Sequence, residues 1–176
     1  MKISILAVAA GIALLAGPTL AHAQAAPPAG PLDKIPDAMP FATPYGTPIN
    51  LAHAKHLIAE VEAETKKRGW AMNIAVVDSG GNLVAFERMD GAQLASIAIS
   101  EHKARAAVKY RRETKVFEDA IQKGGFNYVM TLDDVIASRG GFPLIQDGKV
   151  IGGIGCSGGT GSQDAAVCSV AAGMMK

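Results

Sequence analysis

Cysteine is scarce: Cys156 and Cys168 are the only two in 176 residues, too few for a scaffold framed by disulfides. Aromatic residues make up only 5 %, and neither sign of charge is in excess, with 17 Lys and Arg against 16 Asp and Glu. That balance removes the electrostatic basis for binding nucleic acid or an anionic membrane surface. No G-x-x-x-x-G-K-[ST] phosphate loop occurs, and the spacing of the two cysteines is not that of a metal pair. Gly153-x-Gly155 followed by Gly158 matches G-x-G-x-x-G in letters, but its strand belongs to a hairpin rather than a βαβ unit, so it is not read as a dinucleotide site. The residues therefore name no enzyme, and a binding protein is the expectation.

Long apolar runs are absent beyond the first residues. Met1-Lys2, the run Ile3 to Leu15 and the small residues ending in Ala21-His22-Ala23 form the three parts of a secretory signal peptide, residues 1–23, with cleavage after Ala23. The expected mature protein is periplasmic or secreted and leaves the membrane once the signal is cut. Loss of Lys2 brings the balance to 16 basic against 16 acidic residues, from the 17 and 16 of the whole chain. Residues 24–48 carry Pro27, Pro28, Pro31, Pro36, Pro40, Pro44 and Pro48, too many for a helix or a central strand. They read as an arm, either free or laid across a neighbouring subunit, with Phe41 and Tyr45 as its anchors. Residues 49–176 are left as one domain.

Within that domain, Asn50 to Arg68 reads as a helix capped by Asn50 and ended by Gly69. His53, His56 and Glu60 fall on its polar side, where a solvated stripe explains them more cheaply than a metal site. Trp70 to Asp78 and Leu83 to Met89 are strands around Ser79-Gly80-Gly81-Asn82, in a sheet expected to be buried on one face. Gln93 to Arg111 is an alanine-rich helix that places His102 with Leu94, Ala95, Ala98, Ile99 and Ala106, and gives its second half a basic side of Lys103, Arg105, Lys109, Arg111 and Arg112. Thr114 to Gln122 is a shorter helix, and Thr131 is expected to cap a turn over Asp133 and Asp134.

Most positional information lies in Arg139 to Asp164. Phe142 to Gln146 and Val150 to Gly155 are strands joined by Asp147-Gly148, which supplies the two positive-φ positions of a type I′ turn. The loop Ser157-Gly158-Gly159-Thr160-Gly161-Ser162 then leads into a last helix, with Ser162 as its expected cap. Two readings of Ser157, Gly158, Gly159 and Thr160 stay open: an anion-binding loop, or glycines that let the chain turn and pack closely. Cys156 and Cys168 either meet across this loop or remain two buried thiols. The element order excludes a doubly wound parallel sheet and predicts an α+β antiparallel sheet with helices packed on it.

The segments Asn73 to Ala92, Lys103-Ala104, Gly140 to Leu144, Val150 to Gly159 and Gln163-Asp164 together resemble the GlcG/HbpS-type haem-binding family, which is similar in turn to the C-terminal part of PduO. The resemblance implies a profilin-like domain in α-β-α layers, a homo-oligomer, and haem as the ligand of the exported members. Members of that family also occur in glycolate-related and corrinoid-related settings. For a haem site it puts forward His102 or Thr131 as iron donor, with Lys103 and Arg139 for the propionates; Cys156, a departure from the family pattern, is a further candidate for the metal. The function implied is haem sequestration or sensing without catalysis. The other reading is a binder or accessory enzyme for a small carboxylate, phosphate or corrinoid-type ligand at the glycine loop.

Overall fold

The structure, a computed structural model, describes residues 36–175. The expected signal peptide and the first part of the arm lie outside them. The elements in order are α1 (Leu51–Arg68), β1 (Asn73–Asp78), β2 (Leu83–Arg88), α2 (Ala95–Tyr110), α3 (Lys115–Gln122), a 3-10 helix (Asn127–Thr131), β3 (Gly141–Gln146), β4 (Lys149–Ser157) and α4 (Gly161–Gly173). The Asn50 side chain accepts from the His53 N–H at the start of α1, and Gly69 ends it in the left-handed region. Asp147 and Gly148 take φ of 50° and 69°, the turn that the sequence predicts between β3 and β4. In the other hairpin the Asp78 carboxylate accepts from the Gly80 and Asn82 N–H groups.

All strand pairs are antiparallel, in the order β2-β1-β4-β3. The central strands β1 and β4 are buried on both faces rather than the one expected. On one face α1 and α4 cover Ile74, Val76, Ile154 and Cys156; on the other α2 covers Ala75, Val77 and Val150. The second face explains the glycines of β4. A Cβ at Gly155 would stand 2.1 Å from the Ser100 carbonyl oxygen, and one at Gly153 would stand 2.5 Å from that of Ala104. The α2 backbone thus lies directly on the strand, and the buried stripe of α2 must be small: Ser96, Ser100, Ala104 and Ala107.

This contact also corrects the expected face of α2. Leu94, Ala95 and Ala98 are exposed and His102 is half-buried at the flank, because the sheet selects small side chains rather than the most apolar ones. The arm differs as well, since its last residues dock on their own chain. β1 stops pairing at Gly152, and Pro44 to Ile49 continues along the free end of β4: Val150 N–H donates to Pro44 O, Gly46 N–H to Val150 O, and Ile49 N–H to Ile151 O. Tyr45 donates its hydroxyl to the Val108 and Lys109 carbonyls, and Arg112 stacks over Phe41. Both residues anchor the arm within one chain. Cys156 and Cys168 are bonded, with Cα atoms 5.6 Å apart, and tie α4 to the sheet; closing so short a loop contributes about 3 kcal/mol by chain entropy.

Candidate functional site

The glycine loop is satisfied by the chain's own carboxylate. Asp164 Oδ1 accepts from the N–H groups of Gly158 and Gly159 at 3.1 and 3.0 Å, and Oδ2 accepts from Lys103 Nζ at 2.7 Å. Thr160 caps α4 in a capping box with Gln163, whose Oε1 takes the Thr160 N–H, so Ser162 lies inside the helix and is not the cap. Ser157 is buried with its hydroxyl on Ser96. The expected anion loop of Ser157, Gly158, Gly159 and Thr160 has therefore spent its donors, and an external carboxylate or phosphate finds none of them free.

Lys103 is corrected by the same geometry. Its side chain is 1 % exposed, and its Nζ is held by Asp164 and by the Cys156 carbonyl, beyond reach of a propionate. Burial pushes its pKa below the usual lysine value, and the Asp164 carboxylate offsets that. Cys156, oxidised and fully buried, offers no thiolate to a metal. Arg139 is already paired: its guanidinium meets the Glu118 carboxylate through Nε and Nη2, and its N–H donates to the same group. Arg139 holds the Glu118 carboxyl below the usual range. Arg139 and Thr160 share one cleft of about 290 Å³ at the start of α4, with Glu118 on its wall.

The remaining candidates gather on the opposite flank of α2. Thr131 ends the 3-10 helix, its hydroxyl donating to Tyr128 O at 2.7 Å, and does not cap the expected turn. Asp134, with φ of 58°, ties the following loop to α2 through its carboxylate and Lys109, while Tyr110 donates to the Asp133 carbonyl. The Asp134 carboxyl is held low, first by Lys109 and further by the charges of His102 and Arg105. Lys109 thus ties α2 to the loop that follows Thr131, with His102 and Arg105 near enough to act on Asp134. Around Thr131, Tyr128, Met130 and Leu132 are exposed by 50, 66 and 39 %. Three large apolar side chains left exposed within five residues make this segment an apolar shelf, an exposure of the kind that marks a binding surface.

His53 and His56 do not converge. His56 stands 4.0 Å from Glu60 on the exposed side of α1, whereas His53 turns to a cleft lined by Gln146, Met174 and Met175. Among the described residues no three His, Cys, Asp or Glu side chains could hold one metal ion. Asp164, Glu118 and Asp134 are the functional partners that the sequence reading missed. The signal for Asp164 was Lys103, the one charge on the Ser-Ala stripe that packs against β4, which required a buried counter-ion.

A family model described as haem degrading protein HbpS-like matches residues 49–173. Protein GlcG of Escherichia coli K12 is 41 % identical over 104 residues, 59 % of this chain and 77 % of GlcG. Among solved structures, Klebsiella pneumoniae protein ORFY superposes with a TM-score of 0.69 at 31 % identity, over 80 % of this chain and 95 % of that one. The structure of a PduOC–haem complex superposes with a TM-score of 0.67 at 25 % identity, over 74 % of this chain and 96 % of that one.

Proposed function

The chain belongs to the HbpS-like family, and from that membership we propose that it is an exported protein that binds haem on the shelf formed by Tyr128, Met130 and Leu132 and holds it without turnover. The observation that carries this reading is the exposure of those three apolar side chains on either side of Thr131, with the loop that follows tied to α2 through Asp134 and Lys109. Haem requires an apolar surface, a donor to iron and cations near its propionates. Thr131 spends its proton on Tyr128 O and keeps an oxygen lone pair for a metal, and the His102 imidazole is the stronger alternative donor. Arg105 and Lys109 take the place of buried Lys103 as the cations for the propionates; like Arg139 with Glu118 they already hold carboxylates, Glu101 and Asp134, which a propionate would have to displace. Bound haem would supply iron-centred ligand exchange, and the protein's part is to set access and orientation.

The haem complex of PduOC supports the ligand, and the Cys156–Cys168 bond supports export, since such bonds persist in oxidising compartments. Titration of the purified protein with hemin tests the proposal. A saturable Soret shift at one haem per chain is expected, with a band that persists under air and reductant. No shift at micromolar hemin would overturn binding, and progressive bleaching of the bound band would replace holding with degradation.

A further inference from the structure

Far from the shelf in sequence, a second group of donors meets where three elements end. The first turn of α1, the end of α4 and the tip of the β3–β4 hairpin surround a cleft of about 180 Å³ lined by His53, Gln146, Met174 and Met175. His53 is fixed there because its N–H is held by the Asn50 cap. Met174 closes the C-terminus of α4 and is 40 % exposed, so it is not acting as filler for the core. Met175 packs partly against the core beside it. The His53 ring forms no hydrogen bond among the described residues.

We propose that His53, Met174 and Met175 form a binding site for a soft monovalent metal ion, copper(I). The lining residues carry one imidazole, two thioethers and one carboxamide, with no carboxylate and no thiolate among the described residues that line the cleft. Calcium and magnesium select oxygen cages and structural zinc selects thiolate, imidazole or carboxylate, whereas thioether and imidazole together suit copper(I). A monovalent ion among neutral ligands also needs no counter-charge in a half-buried cleft. Asp147 and Lys149 line the adjoining cleft instead, and no charged side chain among the described residues lines this one.

Anaerobic titration of the full protein with copper(I), in competition with a chromophoric copper(I) chelator, tests the site. One copper per chain withheld from the chelator is expected, with silver(I) competing for it and zinc(II) failing to. His53→Gln and the pair Met174→Leu with Met175→Leu should each release that copper while near-UV circular dichroism stays unchanged. If a variant does not fold, Met174→Leu alone decides, because that side chain is 40 % exposed and lies outside the core cluster. Complete transfer to the chelator, or equal retention by the methionine variants, would overturn the assignment. Hemin titration of the same variants separates the two ligands: an unchanged Soret shift is expected, and its loss would make this cleft the haem site and remove copper from it.

Discussion

Lys103 and Asp164 show how a pair of residues can answer the functional reading of a whole loop. Taking two charges out of water costs several kcal/mol each, and the pair persists because every donor around it is matched: Nζ to Asp164 and the Cys156 carbonyl, the second carboxylate oxygen to two loop N–H groups. Asp164→Asn keeps an oxygen for the loop but strands the lysine charge, and should lower unfolding stability by about 3–5 kcal/mol in denaturant melts. Adding Lys103→Met should recover part of that loss; no recovery would show that the loop, not the ammonium, is what Asp164 serves. Glu118 predicts a pH dependence. Its folded pKa lies below the 4.5 of a free glutamate, so its contribution is complete above that value and is lost as pH falls through the folded one. Glu118→Gln should therefore flatten the decline of the thermal midpoint in acid, and an unchanged acid limb would assign it to other carboxylates. On the shelf, Thr131→Val and His102→Ala distinguish the iron donors: the one that ligates should raise the hemin Kd at least about tenfold, which is 1.4 kcal/mol, and move the Soret maximum. If neither moves the maximum, the donor is elsewhere.

The elements were legible where local chemistry decides them, and illegible where a neighbour does. The cap and terminator of α1, both hairpin turns and the approximate span of every α-helix follow from residues within four or five positions; the 3-10 helix Asn127–Thr131 did not. The face of α2 did not follow, because its hydrophobic periodicity points Leu94 and Ala98 inward. The sheet overrides that pattern through Gly153 and Gly155, which bring the α2 backbone onto β4, so that Ser100 and Ala104 lie against the strand with Lys103 and Val108 beside them. The same contact buries Lys103 and leaves His102 at the flank, so the misread face accounts for one false ligand and for the half-exposed position of another. Gly155→Ala tests the contact. With its Cβ 2.1 Å from the Ser100 oxygen, α2 must shift, and a loss above the roughly 1–3 kcal/mol of ordinary overpacking is expected, read as a fall in the urea midpoint. A variant with an unchanged midpoint would mean that α2 is free to ride away from β4. Thr131 failed as a cap for a related reason: its loop is fixed by Lys109 and Tyr110 from α2, partners twenty or more residues away.

At the scale of the whole molecule, the two edge strands and the outer side of α2 are the surfaces that the chain does not cover for itself. Leu94 is 70 % exposed, Leu51 and Leu83 about half, and the chain without its first 23 residues carries no net charge to keep copies apart. We propose that the outer side of α2 meets a second copy through an isologous contact, in which Ala98 of one chain approaches the same helix of the other. The docked arm narrows the choice, because Phe41 and Tyr45 are engaged within their own chain and do not reach across to a neighbour. Ala98→Glu is a clean probe, since the side chain is exposed in the single chain and a glutamate there does not disturb folding. Size exclusion with light scattering should give a multiple of the chain mass for the parent protein. The variant should give one chain mass at tens of micromolar, with an unchanged thermal midpoint when dilute, because an unpaired carboxylate in a dry contact costs several kcal/mol. A parent of one chain mass would refute self-association, and a variant that keeps the parent's mass would move the contact to the β2 edge, where Leu51 and Leu83 stand.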